Sequence, residues 1–407
     1  MSVHILGGSQ TDFAVNWHRA GLGFDTLVRG AVEEALTEAR IDGADIGVIH
    51  VGNAFGQLFT GQGHLGGMPA TVLPEFWGVP ASRHEAACAS GSMAALAAMA
   101  DLESGRYDCA LVLGVELEKT VPGAQAARYM GAAAWAGHEA QDTDFVWPTM
   151  FAAIAEEYDR RYGLDPAHLR AISELNITNA RSNPAAQTRD WAFNSESFTA
   201  DDAANPLVAG VLRRQDCSQM TDGAAVVVLV SDRFLEQRSD IPSSRRAVIT
   251  GWGHRTVGLP LEQKFSGSAG EPYVFPHVRQ AVLDALSRAG LADIHAVDGV
   301  EVHDCFSMSE YVAIDHLGLT APGESWKAVE SGDIGRDGSL PVNPGGGLIG
   351  IGHPVGATGV RMLLDAYKQV TDQAGDYQVE GANRFATVNI GGSTTTVASF
   401  VVEAVGS

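Results

Sequence analysis

Short apolar runs alternate with amphipathic stretches along this chain. Val3 to Leu6 reads as a strand, and Asp25 to Ala39 as a helix whose apolar positions, Leu27, Val28, Ala31, Val32, Ala35 and Leu36, share one face. Val48 to Val51 is a second strand, running into the tetrapeptide GNAF. The same order returns 250 residues later, where Val278, Arg279, Ala281, Val282, Ala285, Leu286 and Ala289 repeat Val28, Arg29, Ala31, Val32, Ala35, Leu36 and Ala39. One inserted residue further on, the strand Val300 to Val302 runs into HDCF where the first half has GNAF.

The second parts of the halves also correspond. Cys88, in ACASGSMAALAAMA, stands at the start of an apolar helix, as His353 does in GHPVGATGVRMLL. Each is followed by a glycine three residues on, Gly91 and Gly356. A short apolar strand, Cys109 to Gly114, follows the first helix; Phe385 to Ile390 and Thr396 to Val402 follow the second. Such repeated units predict two related α/β domains, with Cys88 and His353 at equivalent helix starts near a shared axis. The N-terminal half covers residues 1–118 plus about 207–257, the latter with a strand at Ala224 to Val230, and the C-terminal half covers 258–407. Between them residues 119–206 have no counterpart and read as an inserted loop domain, with helices at Met150 to Tyr162 and Pro166 to Arg181.

The stretch Asn343 to Gly359, NPGGGLIGIGHPVGATG, sets seven glycines and two prolines around His353. That glycine density argues against a helix or an ordinary strand and for a loop wrapped around a ligand or a reacting atom. Pro354 suits a first helical position, so His353 sits at or just before a helix N-terminus, where the dipole disfavours the imidazolium and suits a general base. Taken alone, the loop is equally a phosphate cradle or a plain turn.

Cys88 is flanked by Ala86, Ala87, Ala89, Ser90 and Gly91. An ordinary thiol has a pKa near 8.5, so only about 3% is thiolate at neutral pH; a helix start and a nearby base are expected to raise that fraction. A lone cysteine here would be a core thiol in a tight alanine helix; the repeat, which sets a histidine at the matching helix end, favours a nucleophile. Cys305, beside His303 and Asp304, sits in a polar turn after a buried strand. Cys109 and Cys217 read as structural, one beginning a strand and the other in a turn. The four cysteines show no CxxC and no zinc spacing, so no metal site is expected.

Composition narrows the partners. The chain has 407 residues, 45% hydrophobic and 19% charged, as in an ordinary globular protein. A net charge of -22 argues against nucleic-acid and membrane-surface binding. An anionic ligand needs a local basic patch, for which Arg160, Arg161, Arg170, Arg181, Arg189, Arg213 and Arg214 are candidates, though a solvated charged face explains them as well. No apolar stretch reaches the about 20 residues of a membrane span, and neither a secretory signal nor a C-terminal SKL is read, so a cytoplasmic location with reduced thiols is expected.

CASGS around Cys88, the loop NPGGGLIGIGHPVGATG and the tetrapeptide HDCF together resemble the thiolase superfamily, HDCF in particular its sterol-carrier-protein-type branch. FAAIAEEYDRRYG (151–163), NARSNPAAQ (179–187) and DCSQMTDGAAVVVL (216–229) extend the likeness over nearly the whole chain. The resemblance implies a five-layered αβαβα core and acyl transfer on coenzyme A thioesters, either thiolysis of a 3-oxoacyl-CoA or the reverse condensation, with no permanent cofactor. It implies that Cys88 is the acyl-accepting nucleophile, His353 its base, and Cys305 the acid/base at the α-carbon. His303 and His353 would form one oxyanion hole, and the backbone N–H groups of Cys88 and Gly391 a second. Gly345, Gly346, Gly347 and Ser266 would contact coenzyme A.

Two departures stand out: Asn389 replaces the cysteine usual in a C-terminal CxG turn, and GGSTTTVA carries hydroxyls where glycine is common. Cys305 offers a thiol from another loop in compensation. The rivals are a partner-dependent acyltransferase or carbon–carbon lyase of the same fold, with a small companion subunit, and a non-catalytic CoA-ester binding protein. A homodimer or tetramer is expected.

Overall fold

The computed structural model describes residues 2–238 and 240–406. Its main strands are β1 (Val3–Gln10), β2 (Val48–Gly52), β3 (Ala81–His84), β4 (Cys109–Glu116), β5 (Gly223–Ser231), β6 (Ala247–Thr256), β7 (Gly299–Val302), β8 (Arg384–Gly391) and β9 (Thr396–Ala404). They pair in the order β3-β2-β4-β5-β1-β6-β9-β8-β7. The first five strands form one half, in which β2 is parallel to β3 and β4, while β5 is antiparallel to β4 and β1. The other half repeats this order: β7 is parallel to β8, β9 is antiparallel to β8 and β6, and Val342 bridges Val300 in the place of the missing fifth strand. Three residue pairs of β1 and β6, Val3 with Ile249, His4 with Val248 and Ile5 with Ala247, join the two halves edge to edge.

The helices used below are α1 (Phe24–Ala39), α2 (Ser90–Glu103), α3 (Gly123–Met130), α4 (Val146–Tyr162), α5 (Pro166–Ala180), α6 (Leu261–Gly267), α7 (Pro276–Arg288), α8 (Ser307–Leu317), α9 (Gly347–Ile351) and α10 (Val355–Val370). Three cores define five layers. The outer core packs α1, through Leu27, Val28, Ala31 and Val32, against Val226, Val228 and Leu111 of the first half-sheet. In the central core α2 and α10 lie between the half-sheets, so Ala95, Ala98, Val360 and Leu363 meet Val112, Val227, Phe400 and Val402. On the far side α7, through Val278, Ala281 and Val282, covers the second half-sheet. The fully buried strands of these inner layers read as continuous apolar runs, as strands covered on both faces do.

The helices of residues 119–206 pack onto the C-terminal half. Phe151, Ile154 and Tyr158 of α4, with Leu169 and Ile172 of α5, belong to the same core as α7 and α8. The insertion is a roof over the C-terminal half, and it carries no core of its own among the described residues. Tyr158 donates its hydroxyl to Asp315 of α8 at 2.9 Å, which pins roof to body.

The central layer is closed by glycine. A Cβ on Gly91 would lie 2.8 Å from the Val360 nitrogen and 2.9 Å from the Gly356 carbonyl, and one on Gly356 would lie 2.7 Å from Asn53 Cα. These distances are to backbone, which cannot yield as a side chain does. The glycine that follows Cys88 is therefore where α2 touches α10, and the glycine that follows His353 is where α10 touches the ends of β2 and β4.

Candidate active site

Cys88 leaves β3 through a strained turn and enters α2. Ala87 has φ +50°, a conformation disfavoured for a residue with a Cβ. Ser90 holds the turn: its Oγ donates to the Ala87 carbonyl at 2.6 Å and accepts the Ala86 N–H at 2.9 Å. Cys88 thereby lines a cavity together with His353, Cys305, Cys217, Glu118 and Gly392. A ligating atom of each of Cys88, His303 and His353 lies within 4.8 Å of the others. Residues 265 positions apart are thus brought together by the crossing of α2 and α10.

The hydrogen bonds fix both imidazole tautomers. The Thr358 hydroxyl donates to the Pro354 carbonyl at 3.0 Å, so it accepts from His353 Nδ1 at 2.7 Å. Nδ1 then carries the proton, and Nε2, buried without a protein partner, presents a bare lone pair. Burial, and then the charge of Arg361, push the imidazole down to about 3, so it rests neutral. His303 has the opposite tautomer. The side-chain amide nitrogen of Asn389 faces the Cys88 carbonyl at 3.2 Å, which can only accept, and its oxygen accepts from Ser92 at 2.8 Å. The same nitrogen donates to His303 Nδ1 at 3.0 Å, leaving the hydrogen of that ring on Nε2. The three groups are therefore a thiol, a lone pair and an N–H donor.

The thiol itself does not match the expectation of an enhanced thiolate fraction. Burial, followed by the carboxyl of Glu118, pushes Cys88 up to about 12, despite the backbone N–H of Gly392 that reaches its sulfur. The helix start is real, but the apolar surroundings and two buried carboxyls outweigh it. In the resting site both partners are neutral. Burial, and then Cys88, also drive the Cys305 thiol well above its ordinary value, and this thiol faces Ser309 Oγ at 3.7 Å.

Several residues take unexpected places. The first part of the glycine-rich loop wraps a carboxylate: Asp304 accepts the N–H groups of Leu348 and Ile349 at 2.6 and 3.1 Å, capping α9. Gly347 to Ile351 is thus helical where the glycine density argued for loop, because the cap supplies what propensity lacks. A Cβ on Gly347 would lie 2.4 Å from Asp304 Oδ2, and one on Gly346 would lie 2.6 Å from Ala180 Cβ. Gly345, Gly346 and Gly347, expected from the resemblance to contact coenzyme A, are buried in this packing and do not line the cavity of Cys88. Ser266 lies exposed on α6, its hydroxyl donated to the Glu262 carbonyl at 2.9 Å. Gly392, one residue beyond Gly391, lines the cavity; Gly391 is packed so that a Cβ would lie 2.2 Å from the Ala86 carbonyl. Pro354 caps α10 from outside the helix. Cys217, read as structural, lines the cavity beside Cys305, with the Ser218 N–H donated to the Cys305 carbonyl at 2.9 Å. Cys109 is buried in β4 as expected. Of the arginines considered for phosphate, Arg160 and Arg161 pair with Glu157, Arg189 with Asp12 and Arg213 with Asp202.

Two acidic residues escaped the sequence reading. Glu116, at the end of β4, accepts the N–H groups of Ala54, Phe55 and Gly356 and the amide of Asn53. Glu118 accepts the Val355 N–H at 2.8 Å, and burial followed by Glu116 raises its pKa well above the usual carboxyl range. Both hold the start of α10, and through it His353. Their signal was the interruption of an apolar strand by two acids in GVELEK. The hydroxyl-rich turn also has a partner: the buried Lys264 ammonium donates to Ser393 Oγ at 2.7 Å and Thr395 Oγ1 at 2.9 Å, fixing the turn that presents Gly392.

Two related α/β halves thus bring a cysteine, a neutral histidine and a second thiol to one largely apolar cavity. Residues 3–233 match the family model "Thiolase, N-terminal domain" and residues 263–404 match "Thiolase C-terminal domain-like". The chain is 33% identical over 400 residues to an acetyl-CoA acetyltransferase of Methanothermobacter thermautotrophicus, covering 97% of this chain and 98% of that protein. It is 27% identical over 380 residues to sterol carrier protein 2 of Bos taurus, covering 90% of this chain and 66% of that one. Among solved structures, the Ltp2-ChsH2(DUF35) aldolase shares the fold with a TM-score of 0.77 at 18% identity, covering 99% of this chain and 98% of that chain. The chain belongs to the thiolase family. It is an enzyme of acyl transfer on coenzyme A thioesters, which are its substrates. Among the described residues, no helix is long and apolar enough to cross a membrane.

Proposed function

We propose that the chain cleaves a 3-oxoacyl-CoA through an acyl-enzyme on Cys88. The observation that carries this reading is the bare, buried Nε2 of His353 in the same small cluster as the Cys88 sulfur. As the sulfur attacks the 3-oxo carbon, Nε2 takes the thiol proton, and the developing oxyanion meets donors in a site screened from water. Those donors are the Nε2–H of His303 and the backbone N–H groups of Cys88 and Gly392. The bond between C2 and C3 then breaks, and the acetyl-CoA enolate takes a proton at C2 from Cys305. In the second half, the coenzyme A thiol gives its proton to the Cys305 thiolate and attacks the thioester. Cys88 leaves as thiolate and regains its proton from His353. Every proton is returned, and the reverse sequence is the condensation.

A resting thiol and neutral imidazole fit this order of events, because the proton moves only when a carbonyl is in place to receive the sulfur. Coenzyme A lies outside the acyl cavity in this reading, with Ser266 on the exposed surface as a contact. The edge strand β3 has one unpaired side, with Ala81 and Ser82 exposed. Pairing of this edge with a second copy gives a homodimer, in the cytoplasm; a monomer by light scattering would contradict it.

Intact-protein mass after mixing with a 3-oxoacyl-CoA tests the mechanism. An adduct is expected on the wild type and on Cys305→Ala when acetyl-CoA is the donor, and none on Cys88→Ala. If no thioester leaves an adduct on the wild type, the reading gives way to the partner-dependent lyase or the non-catalytic binding protein.

A further inference from the structure

The cavity beside Cys88 is larger than an acetyl group needs. It measures about 270 Å³, whereas an apolar cavity of about 150 Å³ already accommodates benzene. Away from the sulfur its walls are Met130, Phe145, Trp147, Phe151, Met220 and Phe306. None of the described residues lining it is Lys or Arg, so it offers no counter-charge to an anionic tail.

The aromatic walls are held in place. Phe151 and Phe306 stack with ring centroids 4.5 Å apart and planes 26° apart, locking the roof helix α4 to the start of α8. The Trp147 indole N–H is donated to the Met130 carbonyl at 2.9 Å, which fixes that ring against α3. Trp147, Phe151 and Phe145 all come from the inserted segment, and Phe145, half exposed, stands at the rim. A preformed chamber of flat faces discriminates by shape. A flexible alkyl chain loses torsional freedom when folded into it, while a ring enters with little left to lose and meets the walls edge to face or offset-stacked.

We propose that this chamber is the acyl subsite and that the group transferred through Cys88 is an uncharged, ring-bearing acyl group. This rests on the acyl-enzyme reading above and adds the substrate class. The roof, which has no counterpart in the other half, is the part of the chain that sets specificity.

The test compares kcat/KM for thiolysis of three substrates: 3-oxo-3-phenylpropanoyl-CoA, 3-oxononanoyl-CoA with the same number of acyl carbons, and acetoacetyl-CoA. The ring substrate is expected to exceed both others at least tenfold. In Ala127→Phe, which fills the chamber from α3, the ratio of ring substrate to acetoacetyl-CoA is expected to fall at least tenfold. Equal or better cleavage of either chain substrate by the wild type overturns the proposal. So does an equal loss for all three substrates in a folded Ala127→Phe protein. Acetyl-CoA labelling of Cys88 without ring preference sinks the specificity alone; absence of any Cys88 adduct sinks the acyl-enzyme reading, and this proposal with it.

Discussion

The side-chain amide of Asn389 donates to His303 Nδ1 at 3.0 Å, and this one bond decides which nitrogen of that ring carries the hydrogen. Asn389 occupies the position where a thiol was expected from the family pattern, and its geometry gives it another task. Its oxygen accepts from Ser92 and its nitrogen also holds the Cys88 carbonyl, so the amide cannot turn over. Asn389→Asp keeps the shape and removes the donor. His303 then places its hydrogen on Nδ1, toward the new carboxylate, and loses the Nε2–H proposed for the oxyanion. Loss of one such donor costs about 10²–10³ in kcat, and a wrong tautomer is at least as harmful. We expect Asn389→Asp to lose more activity than Asn389→Ala, in kcat and not in KM. The reverse order would show that His303 does not act through Nε2.

Thr358 plays the matching part for His353. Its hydroxyl, committed to the Pro354 carbonyl, accepts the Nδ1 hydrogen at 2.7 Å and leaves the lone pair on Nε2. Thr358→Val removes the acceptor at nearly constant volume, strands a buried N–H and frees the tautomer. An unsatisfied buried donor costs about 1–3 kcal/mol, and the loss here falls on the tautomer that the proposed base needs. Single-turnover acylation of Cys88 is expected to slow about tenfold or more in Thr358→Val and to recover in Thr358→Ser. Equal rates in both variants would remove Thr358 from the argument.

The repeat makes much of this legible in the sequence. Matching apolar positions at Leu27 to Ala39 and Val278 to Ala289 gave α1 and α7, and the paired glycines Gly91 and Gly356 marked the crossing that brings Cys88 to His353. Apolar periodicity reports burial, so it located the layers. It was silent on partners formed at long range. Nothing local says that Asp304 would cap α9 across 44 residues, and without that cap Gly347 to Ile351 reads as loop. Glu116 and Glu118 were passed over because carboxyls in a buried strand are meaningful only once their donors, Gly356 and Val355, are known. Cys217 looked structural because its neighbours in the chain are polar, whereas its neighbours in space are the cavity and Cys305. Fold was readable from pattern, and the ionisation of the thiol was not, since desolvation depends on what closes over the site.

That ionisation gives a direct pH test. With the Cys88 thiol raised to about 12, the thiolate fraction at neutral pH lies below that of a free cysteine. With His353 lowered to about 3, no imidazolium is present to hold a thiolate. The rate of iodoacetamide alkylation at Cys88, followed by peptide mass, should therefore climb about tenfold per pH unit from 7 to 10 without levelling, while an ordinary thiol levels near 8.5. A plateau below pH 8 would mean a thiolate–imidazolium pair in the resting enzyme.

Glu118 should set part of that barrier. It is the largest contributor to the raised thiol after burial, and as its carboxyl ionises with rising pH its charge opposes that of the thiolate. Glu118→Gln keeps an oxygen to accept the Val355 N–H and removes the charge. Alkylation of Cys88 is expected to become faster than in the wild type, by more at pH 9 than at pH 6, because burial raises the wild-type carboxyl well above its usual range and its charge grows with pH. A variant slower at both values would show that Glu118 serves the site through position alone.

The packing of the central layer is testable without chemistry, by a pair of glycines with opposite surroundings. Gly91 lies where α2 meets α10, and a Cβ there would meet backbone atoms of Val360 and Gly356 at 2.8 and 2.9 Å. Gly30, in the interior of α1, has nothing within 4 Å of its added Cβ. The first substitution overpacks two helices that cannot separate without moving Cys88 from His353, at a cost of about 1–3 kcal/mol or more. The second gains the helix propensity of alanine over glycine, about 0.5–1 kcal/mol. Thermal unfolding is therefore expected to fall for Gly91→Ala and to rise for Gly30→Ala, and only the first should also slow acylation. If Gly91→Ala unfolds at the wild-type temperature and acylates normally, the two helices do not depend on that contact, and the glycine shared by both halves of the repeat has no part in bringing Cys88 to His353.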